Sequence, residues 1–483
     1  MPRYSVTTFG CQMNVHDSER LHEVLRAAGW TESLVEQDAD AVVVNTCSVR
    51  EKAEQKLRSL VGRLSQEKRR RPDMLIAIVG CVAQEQGAEL LRSMRSIDVV
   101  VGPDNLAELP RLLADVAGGA PPVARTVFDL DAPTFLAAQP SPGTPAPSAF
   151  VTIMKGCDER CSFCIVPTTR GPERYRSSAE VVSEVARLVA SGTREITLLG
   201  QTVNSYRDPS RALGPAPDAD PADADESELA ALLRAIAADV PALARLRYTS
   251  PHPRHVTPSL VAAHRDLEVL ARHVHLPVQS GSDRVLKRMI RRYDRAEYVA
   301  RAGALRGARP GLTLSTDVIV GFPGETASDF DATLSLVEEI GFAGLFGFKY
   351  SPRPHTPSLK LDDDVSEDEK SERLTRLFEL SERLLAAHLA TLVGTTQRVL
   401  VEGASKSGAT SVSGRSEQNE IVHLPGVLGL DVVGRIVEVR VVRANKHSLE
   451  GALTEAEVAR LPRLAEPPKP ARRPLPVLPA NEG

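Results

Sequence analysis

Residues 149–167 read AFVTIMKGCDERCSFCIVP, and this stretch decides the fold. Ala149–Met154 is a short apolar run of strand length. Cys157, Cys161 and Cys164 follow directly, where the strand would end. In a parallel α/β sheet the carboxyl ends of the strands are where ligand-binding groups gather. Soft thiolates at this close spacing suit an iron–sulfur cluster or zinc. Structural zinc wants four ligands. No fourth Cys lies nearby in sequence, and no His occurs from Val151 to Gly200. Three thiolates on a four-iron cube leave one iron open to a small ligand. The remaining alternative is a buried three-Cys cluster, against which Asp158, Glu159, Arg160 and Ser162 interleave the thiols.

The same alternation continues on both sides. Strand candidates follow at Glu195–Leu199, Leu246–Thr249, Val274–Val278, Leu314–Val320 and Leu345–Lys349. Helical patterns separate them, among them Ala179–Ser191, Glu226–Ala238, Asp283–Met289 and Ala327–Ile340. Six βα units in series predict a parallel sheet curled into a partial barrel, over 146–383. An insert at Asp208–Asp225, rich in Pro, Asp and Ala, reads as a mobile surface loop.

Toward the amino end, 1–117 alternates again. Its strand candidates are Tyr4–Thr8, Ala41–Asn45, Leu75–Val79 and Val99–Val101; its helices are Asp17–Ala28, Arg50–Arg70, Gln84–Met94 and Asn105–Val116. This predicts a doubly wound α/β domain. GGAPP and QPSPGTPAP mark a linker over 118–145, with one strand expected at Thr126–Leu130. Beyond the barrel, an amphipathic helix at 366–390 leads to short β runs at Arg398–Val401, Ser411–Val412, Glu420–His423 and Val432–Arg443. These predict a small antiparallel β-barrel within 384–455. The stretch 456–483, with seven prolines from residue 461 on, is expected to be a disordered tail.

The chain has 483 residues, enough for about three domains. Apolar residues are 42% and charged residues 25%, a globular composition. No run approaches the about 18–20 apolar residues of a membrane helix. Met1–Asn14 lacks the basic and apolar regions of an export signal, so the expected location is cytoplasmic, where thiols stay reduced. The formal charge is −4, which excludes nucleic-acid binding by bulk positive charge; neither a membrane nor DNA is expected as a partner.

The other three cysteines are Cys11, Cys47 and Cys81. Each follows a predicted strand, in YSVTTFG-Cys11, AVVVNT-Cys47 and LIAIVG-Cys81. Groups at the carboxyl ends of an open parallel sheet converge in one crevice. Three thiols there would hold a second cluster, or they are three separate small buried residues.

The Cys-x3-Cys-x2-Cys run after the first strand of a βα barrel resembles the radical S-adenosylmethionine (SAM) superfamily. That resemblance implies a 4Fe–4S cluster on Cys157, Cys161 and Cys164, SAM bound through its amino and carboxylate groups to the open iron, and reductive cleavage to a 5′-deoxyadenosyl radical. FGCQMNVHDSE (9–19), VVNTCSVREKAEQK (43–56) and VGCVAQ (79–84) resemble the N-terminal domain of the methylthiotransferases. This implies a second 4Fe–4S cluster on Cys11, Cys47 and Cys81. GCQMN (10–14) is similar to the tRNA-modifying branch of that family; the branch acting on ribosomal protein S12 usually reads differently after this cysteine. The implied reaction adds a methylthio group to C2 of N6-isopentenyladenosine at position 37, in the tRNA anticodon stem-loop. It implies a low-potential electron donor such as flavodoxin or ferredoxin.

The remaining motifs supply contact candidates. In LLGQTVNSY (198–206), Gly200 permits close backbone approach and Gln201 or Asn204 offers hydrogen bonds. Gln279 and Ser280 lie beyond the fourth strand. His252 and His275 read as structural histidines. By resemblance the fifth strand, with Thr316, Asp317 and Gly321, supports the adenosine of SAM. Gly200, Gln201 and Ser280 join these as cofactor contacts. Arg170, Arg353 and Lys349 suit phosphate or carboxylate. GTTQRVLVEG (394–403) and ANKHSLEGAL (444–453) resemble a TRAM domain, an RNA-binding β-barrel. Its charge is balanced, seven Lys or Arg against six Asp or Glu from Thr395 to Gly451, so specific contacts such as Arg415, Arg443, Lys446 and His447 must serve.

The same chemistry on an S12 aspartate, or on N6-threonylcarbamoyladenosine in tRNA, is the alternative. A non-enzymatic iron–sulfur carrier or RNA-binding scaffold is a different class. The ligand-type motifs at the ends of six barrel strands oppose it.

Overall fold

Ala41–Thr46 and Leu75–Gly80 are buried at every position, because the sheet they centre is covered on both faces. The computed structural model describes all residues except 49–50, 132, 139–145, 212–226, 406–410, 428 and 465–483. Most of the insert, part of the linker and most of the tail named above therefore lie outside the described residues.

The amino-terminal sheet is wholly parallel. Its order is Thr31–Glu32, Arg3–Thr8, Ala41–Thr46, Leu75–Gly80, Val99–Val101, Val123–Arg125. Alternate side chains feed two cores. Val42, Val44, Ile76 and Ile78 pack with Leu57 and Leu64 of the helix Glu51–Arg70. Val43, Ala77 and Val79 pack with Leu21 and Leu25 of Gln12–Ala27 and with Leu113 of Leu109–Ala117. The strand order reverses direction between Arg3–Thr8 and Ala41–Thr46, and at such a switch point a crevice opens at the carboxyl ends.

One expectation is corrected here. Thr126–Leu130 forms no strand; Val123–Arg125 does, as the sixth strand of the sheet. The sheet thus reaches into the stretch read as linker. Beyond Arg125, side chains take up the backbone: the Thr126 carbonyl accepts from Gln84 Nε2, and Val127 N–H donates to Asn105 Oδ1.

The central barrel is open and parallel. Three strands run in the order Arg245–Tyr248, Glu195–Leu199, Ser148–Thr152, and three more in the order His273–His275, Thr313–Val320, Gly344–Lys349. The two halves are joined where Leu246 exchanges hydrogen bonds with Val269 and Ala271. A small antiparallel ladder, Met154–Lys155 with Arg174–Tyr175, brackets the cysteine loop.

The helix Glu367–Leu392 connects to the last unit. That unit is a closed barrel of five strands: Thr396–Ala404, Ser411–Arg415, Ile421–Pro425, Leu449–Leu453 and Ile436–Ala444 in spatial order. The sequence reading ended at Arg443 and lacked Leu449–Leu453. Leu449–Leu453 carries Glu450 and Gly451 and has little strand character alone; it closes the barrel by pairing on both sides. Among the described residues, no helix is long and apolar enough to cross a membrane.

Candidate active site

Cys11, Cys47 and Cys81 each follow one of three adjacent strands, at and beside the switch point. Cys11 caps the helix Gln12–Ala27, and Cys81 opens the helix Cys81–Gln86. Their neighbours are locked by two wholly buried amides. Asn14 Oδ1 accepts from the Cys11 N–H at 3.2 Å and lies 3.4 Å from its Sγ. Asn14 Nδ2 donates to Asn45 Oδ1 at 3.0 Å, and Asn45 Nδ2 donates back to the Asn14 carbonyl at 2.8 Å.

Glycine is obligatory at two points. Gly10 has φ +147°, and a Cβ there would stand 2.3 Å from Asn14 Oδ1 and 2.8 Å from Cys47 Cβ. Gly80 has φ +94°, and its Cβ would stand 2.4 Å from Asn45 Oδ1. The Cys11 thiol is lowered from its ordinary pKa, foremost by hydrogen bonding with Cys47 and against the effect of burial. Burial raises that of Cys81.

The second set lies on the central barrel. Gly156 has φ +79°, and a Cβ would meet the Pro172 carbonyl at 1.9 Å. The Cys157 N–H donates to the Gly171 carbonyl at 3.1 Å. Cys157 Sγ lies 3.0 Å from Thr202 Oγ1. Ser162 ties the loop to Arg288 and Met289 through their carbonyls, at 2.8 and 2.9 Å. Arg291 Nη1 donates to Cys161 Sγ at 3.1 Å. Burial pushes the Cys157 thiol well up and that of Cys164 up to about 12, with Cys161 adding to the latter. All six cysteines are free.

The two sets are connected through Arg170. It ends the short helix Val166–Arg170, which leads directly out of the Cys164 loop. Its Nε donates to Cys81 Sγ at 3.3 Å and its Nη2 to Asp17 at 2.6 Å. Burial opposes ionisation of Asp17, yet the charge of Arg170 and a hydrogen bond from His16 hold its pKa at about 2. Beside this pair, Arg174 and Lys155 both bind Asp104. The amino-terminal sheet and the barrel therefore meet across buried ion pairs.

The other nominated residues fall into three groups. Gln201 Oε1 accepts from the Gly156 N–H, while its buried Nε2 has no partner. Gly200 abuts Met154, whose Cγ would lie 2.6 Å from an added Cβ. Ser280, Thr316 and Asn204 are committed to the scaffold. Ser280 bonds Thr333 and the Ser282 N–H; Thr316 Oγ1 donates to the Leu276 carbonyl and accepts from the Val278 N–H; Asn204 brackets the His252 backbone. Asp317 lies 3.4 Å from His275, and a Cβ on Gly321 would meet Lys370 at 2.3 Å. Gln279 holds φ +72° without being glycine, a strained backbone at an isolated β-bridge to Val318.

The charge of Arg353 acts on Glu54 and Glu85, on two helices of the amino-terminal domain. Lys349 bonds Ser371 at 2.7 Å. On the terminal barrel, Arg415 lies 3.5 Å from Glu402, Lys446 is 2.8 Å from Glu382, and Arg443 is 2.6 Å from Glu450. Exposed pairs of this kind are worth about 0–1 kcal/mol, so a phosphate can compete for the cation.

Sequence reading missed Asn14, Asn45, Thr202 and Arg291. A signal existed for the first two: Asn14 lies three residues after Cys11 and Asn45 two before Cys47. A further cluster, Glu159 with His252 and His255, resembles a metal site in composition. Its bonding says otherwise. His252 Nδ1 accepts from the Arg254 N–H at 3.2 Å, so the proton sits on Nε2, which then has no lone pair to offer. His255 and Glu159 bond at 2.9 Å and brace the cysteine loop.

An open parallel barrel with three converging free thiols at its carboxyl end, joined to a flavodoxin-like sheet and a closed β-barrel, defines a radical SAM protein of composite architecture. Family models agree. The Radical SAM superfamily matches residues 151–337, the TRAM domain matches 390–454, and UPF0004, described as an uncharacterized protein family, matches 3–102. A radical SAM protein carries a 4Fe–4S cluster and SAM. The donor set fits both: three soft thiols for the cluster, and an unpartnered Gln201 amide beside them.

The particular family follows from whole-chain relatives. The chain is 68% identical to a tRNA-2-methylthio-N(6)-dimethylallyladenosine synthase of Sorangium cellulosum, over 100% of both chains. It is 42% identical to the synthase of that name from Nitrosospira multiformis, over 94% of this chain and 93% of that one. It belongs to the tRNA-2-methylthio-N(6)-dimethylallyladenosine synthase family. Among solved structures, the radical SAM methyltransferase TsrM from Kitasatospora setae aligns with a TM-score of 0.49 at 16% identity, covering 74% of this chain and 75% of that one.

Proposed function

We propose that this chain is a radical SAM methylthiotransferase that places a methylthio group on C2 of N6-isopentenyladenosine at position 37 of tRNA. The observation that carries the reading is the pair of free three-thiol sets, each beyond the carboxyl ends of parallel strands, in a chain that is 68% identical, end to end, to a synthase of this name. Cys157, Cys161 and Cys164 would hold the cluster that binds SAM. Cys11, Cys47 and Cys81 would hold a second 4Fe–4S cluster. When bound, these groups supply reductive cleavage of SAM and transfer of sulfur and methyl.

The chain's own residues position and shield. Thr202 and Arg291 hydrogen-bond sulfurs of the barrel set. Gln201 offers its Nε2 donor to the bound cofactor, and Thr316 and Ser280 stiffen the wall beside it rather than reach out. C2 of adenine is an unactivated aromatic carbon, which calls for radical chemistry; proximity then requires both thiol sets near one base, unstacked and inserted between the domains. Arg415, Arg443 and Lys446 meet RNA phosphate in place of their acidic partners. A low-potential donor such as flavodoxin or ferredoxin supplies electrons, in the cytoplasm where tRNA is found. The relatives do not favour an S12 or threonylcarbamoyl target.

The test is mass spectrometry of bulk tRNA nucleosides from cells with and without the chain. Loss of the 2-methylthio nucleoside with accumulation of N6-isopentenyladenosine is expected; an unchanged pattern overturns the substrate. In the purified protein, Ala at Cys157, Cys161 and Cys164 should abolish SAM cleavage. Ala at Cys11, Cys47 and Cys81 should spare cleavage and stop methylthiolation.

A further inference from the structure

We infer that Arg170 and Arg291 are matched positioning residues, each donating one guanidinium N–H to one cysteine sulfur of one thiol set and so raising the reduction potential of the cluster held there. The inference rests on the two-cluster reading above. Arg170 Nε reaches Cys81 Sγ at 3.3 Å, and Arg291 Nη1 reaches Cys161 Sγ at 3.1 Å. Both arginines are only 5% exposed, so water neither competes for the donors nor screens the charge. Arginine stays protonated at any working pH. Reduction adds negative charge to a cluster. N–H to sulfur hydrogen bonds and a buried positive charge stabilise that reduced form more than the oxidised one.

The two sites differ in how much charge the sulfur feels. Arg170 shares its charge with Asp17 at 2.6 Å, so the cluster meets a nearly neutral pair. Arg291 bonds neutral oxygens: Tyr293 OH at 3.0 Å and the Pro277 carbonyl at 3.1 Å. Among the described residues it has no carboxylate partner. Its charge is uncompensated, so its hold on the barrel cluster is the stronger. That is the cluster which must be reduced for SAM cleavage.

The test is an anaerobic redox titration, followed by electron paramagnetic resonance, on the reconstituted full chain. Cys157→Ala/Cys161→Ala/Cys164→Ala and Cys11→Ala/Cys47→Ala/Cys81→Ala backgrounds let each cluster be read alone. In the barrel cluster, Arg291→Gln should cut the reduced-to-oxidised ratio at fixed poise about tenfold, a downward shift of about 59 mV for one electron. Arg291→Lys should restore part of it. Arg170→Gln leaves Asp17 buried and unpaired, so Arg170→Gln/Asp17→Asn is the second variant. It should lower the potential of the other cluster by less, and leave the barrel cluster unmoved.

Unchanged potentials in loaded variants overturn the inference, as does an equal shift of both clusters in each variant. A variant that loses iron without shifting the potential of what remains assigns its arginine to holding the cluster, and overturns tuning. Iron and sulfide for only one cluster in the parent chain overturn the two-cluster reading and the Arg170 arm with it, while the Arg291 arm is still decided.

Discussion

Gly10 and Gly80 each precede a thiol, and each closes against a buried asparagine that fixes the neighbouring loop. A methyl group has no room at either place. Gly10→Ala should therefore bring iron per reconstituted chain to about half, with SAM cleavage retained; full iron loading in that variant would refute the constraint. The placement of the six cysteines beyond strand ends was legible because each follows an apolar run of strand length. Arg170 was not legible in its structural place. In sequence it reads as an arginine suited to phosphate or carboxylate, and nothing local names its partner, because Asp17 is 153 residues away. Arg291, in a run of RR, was hidden for the same reason: nothing local distinguishes an arginine that faces a sulfur 130 residues earlier.

At the scale of elements, the parallel strands were the clearest features, because strands buried on both faces are written as apolar runs. Val123–Arg125 and Leu449–Leu453 escaped because each exists only through its pairing with other strands. The pairing of the helix Pro258–Asp266 with the strand Arg245–Tyr248 yields a pH prediction. His264, on the helix, is 1% exposed and bonds Tyr248 OH at 2.6 Å. Burial, aided by Arg309, pulls its pKa down to about 4. The unfolded chain thus binds this proton more readily than the folded one. The contribution is whole above about pH 6.5 and is lost as pH falls toward 4, amounting to about 3 kcal/mol at 1.36 kcal/mol per unit. In urea unfolding at pH 7.5 and pH 4.5, His264→Asn should show a smaller drop in midpoint than the parent; equal drops would exclude it.

For the molecule as a whole, the terminal barrel is not a tethered appendage. Arg245 donates to the carbonyls of Arg398, Arg415 and Ser416, and Arg247 to those of Ser416 and Glu417, while both bind Glu195. Thr313 and Gln418 add two further bonds across the same seam. Arg245→Met removes three of these hydrogen bonds and leaves Glu195 paired with Arg247. Limited proteolysis near Gly394 should accelerate and RNA affinity should fall while SAM cleavage persists; unchanged proteolysis would show the seam to be held elsewhere. This docking was invisible in sequence, since its acceptors are backbone carbonyls, which no residue type announces. It also has a metric consequence. Arg245 and Thr313 are the first residues of their strands, whereas the thiols stand beyond the last residues of theirs. The longest of these strands has eight residues, about 26 Å at 3.3 Å per residue. On the proposed reading the scaffold is a calliper with fixed jaws: it selects by reach, and an RNA fragment too short to bridge that span is not gripped and modified at once.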